Sequence, residues 1–206
     1  MPRTAILGAA LATSLAGAAP APSWGQTFGD VRSALHLLAT YPDAQGHSQP
    51  LEFWRDEAGR VIRRTGNRAE LHLTPAKDGE DLYQLRNLLS RTVYDVHRVN
   101  LYRVGVFTDR WSVQHLLDRP SGTYTLAQLG RSEQTVAGTC EWWRVTSLSK
   151  VNEVCWSARY GVPLLLKSGG RTVLSVTKVE TNPGFPWATL PADWQEYNAD
   201  EDLAPD

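Results

Sequence analysis

Histidine and cysteine are the residues through which this chain could do acid–base, metal or redox chemistry. The histidines are scattered, and no two of them have the spacing of metal ligands. They are His36, His47, His72, His97 and His115. Asp95 and His97 are two residues apart and would share one face of a strand, as half of an acid–base dyad could. A solvated polar strand face is a far commoner origin of such a pair, and we expect that here.

Local catalytic motifs are absent from the sequence. It contains no G-x-S-x-G, no H-E-x-x-H, no P-loop and no glycine fingerprint for a dinucleotide. A bridged cysteine cannot act as a nucleophile. We therefore predict that the chain is not an enzyme, has no catalytic residues, and uses neither a cofactor nor a metal.

The first residues have the order of a secretory signal peptide. Met1-Pro2-Arg3 carries one positive charge, residues 4–19 are uncharged and rich in small and apolar side chains, and Ala16-Gly17-Ala18 offers a cleavage site. A second site at Ala19-Pro20-Ala21 is less suitable because it would place Pro22 directly after the cut. The apolar run is shorter than the ~20 residues of a membrane anchor. We predict a signal peptide at residues 1–18, a periplasmic or secreted location, and no transmembrane segment in the mature protein.

Charge divides the rest of the chain into a basic body and an acidic end. Residues 19–192 hold 20 basic and 16 acidic residues, whereas residues 193–206 hold six acidic residues and no Lys or Arg. We predict one antiparallel β domain over residues 19–192 and an acidic tail over 193–206, either disordered or lying on the basic body. Arg60, Arg63, Arg64 and Arg68 are close in sequence. Without strong net charge or a known binding module, they do not indicate a nucleic-acid partner.

Cys140 and Cys155 are the only cysteines, and in an exported chain such a pair favours a disulfide bond. Closing a loop of about 15 residues contributes roughly 3 kcal/mol in the chain-entropy model. If the segment folds back as a hairpin, we expect Cys140 opposite Cys155, Trp142 opposite Glu153 and Arg144 opposite Val151. Trp142 and Trp143 would then point to opposite faces of the sheet.

Hydrophobic patterns predict one early helix followed by many short strands. Residues 30–39 fit a helix, with Val31, Ala34, Leu35 and Leu38 on one face. Alternation predicts strands at residues 51–55, 60–65 and 69–73, and β-propensity favours strands over most of residues 81–107. A helical turn at residues 111–117 precedes further short strands between residues 124 and 180. With no long crossover helices, we predict a mainly β (α+β) fold, built as a curved antiparallel sheet or open half-barrel with short helices.

The later part of the chain resembles the last strands of LolA-like periplasmic proteins, the lipoprotein carriers and related half-barrel domains. The matching segments are Gly138-Thr139-Cys140-Glu141-Trp142-Trp143, Cys155-Trp156, Gly161-Val162-Pro163-Leu164-Leu165-Leu166, and Val176-Thr177-Lys178-Val179-Glu180 with Phe185-Pro186 and Leu190-Pro191 after it. The resemblance implies an open sheet around short helices, with an apolar concave face that shelters acyl chains or a lipidated partner. The cysteine pair, the many tryptophans and the acidic tail depart from the carriers, and no residue is matched to their cargo-gating arginine.

These observations lead to two hypotheses about function. The first is a non-enzymatic binding module that shelters a lipid or other apolar group on the concave face of the sheet. Its lining would come from alternate strand residues: Leu51, Phe53, Leu71, Leu73, Leu126, Leu164, Leu166, Leu174 and Val176. The same residues could equally form an ordinary filled core. The second hypothesis is an accessory subunit or assembly factor of a periplasmic complex, with tryptophans and the acidic tail as contact surface.

Overall fold

A computed structural model describes residues 22–31, 33–104, 108–148, 150–186 and 190–201. The predicted signal peptide at residues 1–18 and the last five residues of the acidic tail lie outside these ranges. Among the described residues, no helix has the length and apolar character needed to cross a membrane.

Within the described ranges, twelve strands form one open sheet. In chain order they are β1 (Leu35–Pro42), β2 (Ser48–Arg55), β3 (Val61–Thr65), β4 (Ala69–Thr74), β5 (Leu82–Asn87), β6 (Thr92–His97), β7 (Tyr124–Thr135), β8 (Gly138–Ser147), β9 (Val151–Ser157), β10 (Val162–Ser168), β11 (Arg171–Thr181) and β12 (Gln195–Asn198). Their spatial order is β12-β6-β5-β4-β3-β2-β1-β11-β10-β9-β8-β7. Every neighbouring pair is antiparallel except β12 and β6. The predicted mainly β fold class is confirmed.

The helices are short. Helix α1 (Trp24–Phe28) begins with a capping box between Ser23 and Gln26. Helix α2 (Arg110–His115) begins at Asp109, whose carboxylate accepts from the Ser112 N–H at 2.8 Å. A 3-10 helix, Arg98–Val104, follows β6. The predicted helical turn at residues 111–117 is confirmed by α2, which starts one residue earlier.

The predicted helix over residues 30–39 is wrong, because the second half of that segment, from Leu35 on, belongs to β1. Leu35, Leu37 and Ala39 are buried while the residues between them are half-buried, which is the period of a strand. Strand β1 pairs with β2 on one side and with β11 on the other. Pairing on both edges, with the next strand and with one more than 120 residues later, overrides the local helical pattern.

The disulfide between Cys140 and Cys155 is confirmed, but the predicted register around it is wrong. Trp142 lies opposite Cys155 and Arg144 lies opposite Glu153, a shift of two residues from the predicted pairing. The reason is a tight turn in which the Ser147 N–H donates to the Lys150 carbonyl at 2.9 Å. The two cysteines are diagonal neighbours, with their Cα atoms 5.2 Å apart, which still allows the bridge.

Two apolar clusters hold the fold together. The larger one lies on β1–β6, continues to the disulfide region, and includes Leu101 of the 3-10 helix and Val113 of α2. The smaller one joins α1 to the strands β7–β9 through Trp24, Phe28 and Trp156. The short helices thus cover one side of the sheet, which we call the inner face.

Candidate functional site

The inner face of β1–β5 is the candidate site, because it presents a continuous apolar surface. Directly paired residues share a face, and the register places Leu37 beside Phe53, and Val61 beside Leu73. Phe53 and Leu73 are fully buried. Alternation along each strand therefore delivers most apolar side chains to the inner side, where Arg55 and Arg63 are the charged exceptions on β2 and β3.

The predicted lining residues fall into three groups. Seven lie buried in the larger apolar cluster: Leu51, Phe53, Leu71, Leu73, Leu164, Leu174 and Val176. Leu126 belongs instead to the smaller cluster under α1. Leu166 is half-buried and touches both clusters. None of the nine borders the clefts of about 160, 370 and 510 Å³ that lie among the described residues.

A buried arginine holds α2 against the sheet. The Arg55 guanidinium donates to the carbonyl of Gln114 at 2.7 Å and to that of Tyr160 at 2.6 Å. The Gln114 side chain in turn donates to the Gly59 carbonyl at 2.6 Å. These polar bonds connect the end of α2 to β2, to the β2–β3 turn and to the turn before β10.

A cleft of about 510 Å³ opens between α1 and α2, within the usual range of ligand sites. Trp24 and Trp111 line it, with ring centroids 5.3 Å apart in an edge-to-face arrangement. Arg98, Arg110 and Arg119 also border it. Arg110 is paired with the buried Asp81, to which its Nε donates a hydrogen bond at 2.7 Å. Asp30 and Asp109 line it as well, so the cleft combines aromatic surface with side chains of both charges.

His115 lies fully buried behind this cleft. Its ring stacks on Trp111 with centroids 4.4 Å apart, and its Nδ1 is 2.8 Å from the Trp111 carbonyl oxygen. The Trp156 ring is also stacked on His115, with centroids 6.2 Å apart. Aromatic packing therefore holds this histidine next to Trp111, which lines the cleft.

The opposite, outer face carries a polar network across β1–β6. Glu52 joins His36 Nε2 at 3.0 Å to Arg64 Nη1 at 3.2 Å. Arg64 continues to Glu70 at 2.7 Å, and Glu70 reaches His72 Nε2 at 2.8 Å. Burial alone would raise the pKa of Glu70, but the hydrogen bonds from His72 and Arg64 outweigh it and lower that pKa to about 2. Burial lowers the pKa of His72, although its bond to Glu70 acts in the other direction.

Asp95 and His97 do not form a pair with each other. The Asp95 carboxylate accepts from the Gln84 side chain at 2.9 Å, while His97 Nδ1 lies 2.7 Å from a carboxylate oxygen of Asp200. The described residues contain no group of three or more His, Cys, Asp or Glu side chains arranged to hold a metal ion. These two residues therefore take part in two separate contacts.

Sequence reasoning missed three features of this region. It did not identify the cleft at α1 and α2, because the two helices are distant in sequence. It did not single out Arg55 from other strand arginines, although it falls in the alternating pattern of buried β2 residues. It also missed β12, which adds residues of the acidic tail to the β6 edge.

Comparison with known proteins supports the fold and leaves the function open. No family model and no curated protein sequence matches this chain. The solved structure of PNGF-II matches with a TM-score of 0.50 at 7% identity, over 81% of this chain and 31% of that one. The crystal structure of MucB matches with a TM-score of 0.45 at 17% identity, over 80% of this chain and 59% of that one. The chain thus spans about a third of the length of PNGF-II, and the PNGF-II likeness is one of fold alone.

Proposed function

We propose that this chain is an exported, non-enzymatic binding module that shelters a lipid or other apolar group on the inner face of its sheet. One observation carries the proposal: a wide, mainly apolar sheet face is covered, within the part of the chain that the structure describes, by short helices and not by a second sheet or long helices. Val113 of α2 and Leu101 of the 3-10 helix pack onto it. The resemblance of the later strands to LolA-like carriers favours the same use of the face.

The attachment of α2 gives the proposal a sharp test. Under the proposal, an apolar ligand takes the place of the α2 contacts, so weakening those contacts favours binding. Gln114→Ala removes the bond to the Gly59 carbonyl, which is worth roughly 1 kcal/mol. If the closed arrangement competes with the ligand, affinity for a fluorescent fatty acid should rise about fivefold. Fluorescence titration measures this directly.

The matched control is Gln128→Ala, which truncates an exposed glutamine on β7 and should leave the affinity unchanged. A filled, permanent core gives a different result. In that case Gln114→Ala lowers the midpoint of urea unfolding, and neither the wild type nor the variant binds the probe. That outcome would rule out the binding module.

A second candidate is an accessory subunit or assembly factor of a periplasmic complex. The observation that favours it is the 12-residue strand β7 at the edge of the sheet. Most of its side chains are exposed, and an edge strand offers backbone groups to a partner strand. Trp142 and Trp156, in contrast, are buried, so they do not supply the contact surface. Native mass spectrometry of protein from its own periplasm separates the candidates, because co-purified lipid favours the first and a stoichiometric protein the second.

A further inference from the structure

Arg63 places a positive charge among apolar side chains of the inner face, two residues along β3 from Val61, the partner of Arg55. It lies in the middle of β3, directly opposite Phe53 on β2 and Leu71 on β4. Residues paired in this way point to the same side of the sheet. Both neighbours are buried in the larger apolar cluster. The guanidinium therefore lies between two of the side chains that we propose to line the ligand site.

The Nε atom of Arg63 has no hydrogen-bond acceptor within the described residues. The side chain is half-buried, and its Nε atom is inaccessible to water. Burial lowers the pKa of Arg63, while the nearby charge of Asp118 partly opposes this effect. A desolvated donor without an acceptor is costly, so such a group usually has a role that offsets the cost.

Two other arginines of the sheet donate hydrogen bonds to acceptors that the protein supplies. Arg64, the next residue along β3, points to the outer face and bonds to both Glu52 and Glu70. Arg55, on β2, is fully buried and donates to several backbone carbonyls. Both have partners supplied by the protein. Arg63 differs from them because its Nε atom has no hydrogen-bond acceptor among the described residues.

We propose that Arg63 binds the carboxylate of an amphipathic ligand whose apolar chain lies along Phe53 and Leu71. This inference rests on the proposed function and adds the chemical class of the ligand. A guanidinium presents two parallel N–H groups that match the two oxygens of a carboxylate. One guanidinium also balances the single charge of a carboxylate, whereas a phosphate monoester carries nearly two charges at neutral pH.

The test compares two probes that differ only in the head group. A fluorescent fatty acid and the fluorescent alcohol of the same chain length are titrated into the wild-type protein. We expect the acid to bind about 10- to 100-fold more tightly, the range for a hydrogen bond to a charged group. In Arg63→Met, which keeps an apolar stem of similar length, the acid and the alcohol should bind equally. Arg68→Met, on the adjoining turn and exposed, should keep the preference of the wild type.

Asp118 provides an independent variant. Its negative charge acts on Arg63 and should repel an incoming carboxylate. Asp118→Asn is therefore expected to tighten acid binding about two- to fivefold and to leave alcohol binding unchanged. The change is on an exposed loop residue, so it should not disturb folding.

The outcomes separate the inference from the proposed function. If the alcohol and the acid bind equally to the wild type and to Arg63→Met, the inference is wrong while the binding module stands. If neither probe binds, the proposed function fails as well. If Arg63→Met does not fold, NMR of the wild type replaces it: the Arg63 Nε–H resonance should shift on adding the acid and not on adding the alcohol. An unmoved resonance with acid bound would overturn the inference.

Discussion

Charged side chains on the two faces of the sheet differ in whether they have hydrogen-bond partners. On the inner face, Arg63 is desolvated and has no hydrogen-bond acceptor at Nε. On the outer face, Glu70 is buried between two strands and contacts both Arg64 and His72. The alternation of a β-strand produces this contrast, since neighbouring residues in one strand face opposite sides. Each environment makes a measurable prediction.

Glu70 should make the protein more stable at neutral pH than at low pH. Its pKa is lowered in the folded state to about 2, below that of an unfolded glutamate, so its contribution is present above about pH 4.5 and is lost as pH falls towards 2. With allowance for solvent screening, Glu70→Gln should lower the free energy of unfolding at pH 7 by about 1–2 kcal/mol. Urea unfolding between pH 7 and pH 2 should show the variant and the wild type converging.

The control for this prediction is Glu57→Gln, because Glu57 is exposed in the β2–β3 turn. It should follow the wild type at every pH. A constant difference between Glu70→Gln and the wild type from pH 7 to pH 2 would show that the loss comes from packing and not from ionisation.

Arg55 should be among the most sensitive positions for stability. Its replacement by Met leaves the carbonyls of Gln114 and Tyr160 without their donor in a buried region. We expect a loss of about 2–4 kcal/mol in urea unfolding. The comparison is Arg60→Met, whose arginine is partly exposed on the β2–β3 turn and bonds to Asp56. An equal, small effect of both changes would contradict the role of Arg55 in fastening α2.

Among the secondary-structure elements, β12 is a short strand held by few contacts. Its four residues are all exposed, and Tyr197 stacks on Tyr94 with ring centroids 5.3 Å apart. Beyond its end, Asp200 accepts from the Asn100 side chain at 2.6 Å and is 2.7 Å from His97 Nδ1. Burial opposes the ionisation of Asp200, but these bonds outweigh it and lower its pKa.

Asp200→Ala should release β12 without unfolding the sheet. Amide hydrogen exchange at residues 195–199 should become faster, because local contacts and not the core hold this strand. Exchange in β3 and β4 should be unchanged. The wild type should show the same local release on acidification below the ordinary pKa of an aspartate, since a lowered pKa means that the ionised form makes the contact. Exchange that rises equally in all strands would contradict a local role.

The disulfide fixes the β8–β9 hairpin, and its removal tests how much of the fold depends on it. Replacing Cys140 and Cys155 together by Ser should lower the free energy of unfolding by a few kcal/mol, about 3 kcal/mol in the chain-entropy model for this loop. Non-reducing peptide mapping of protein from the periplasm should show the two residues linked. Free thiols in that material would contradict the oxidising location.

For the whole molecule, we predict export, with cleavage of the signal peptide before the mature chain folds. N-terminal sequencing of the mature protein should begin at Ala19 or within a few residues of it. The order of charge, apolar run and small residues supports this expectation. A periplasmic or membrane fraction that retains Met1 would contradict cleavage.

Local patterns were enough to predict part of this fold. Alternation in residues 51–55 and 69–73 identified strands, and two cysteines after an N-terminus with the order of a signal peptide identified the disulfide. These signals lie within a few residues, or depend on a unique pair, so they can be read without the fold.

The other features depend on contacts between segments that are distant in the chain. Residues 30–39 look helical, yet they supply most of a central strand because β2 and β11 pair with it from both sides. Arg63 and Arg64 are adjacent and chemically identical, but the sheet gives one an apolar face and the other two carboxylates. The cleft at Trp24 and Trp111 joins segments more than 80 residues apart. Burial and long-range pairing set these features, and neither quantity is contained in a local stretch of sequence.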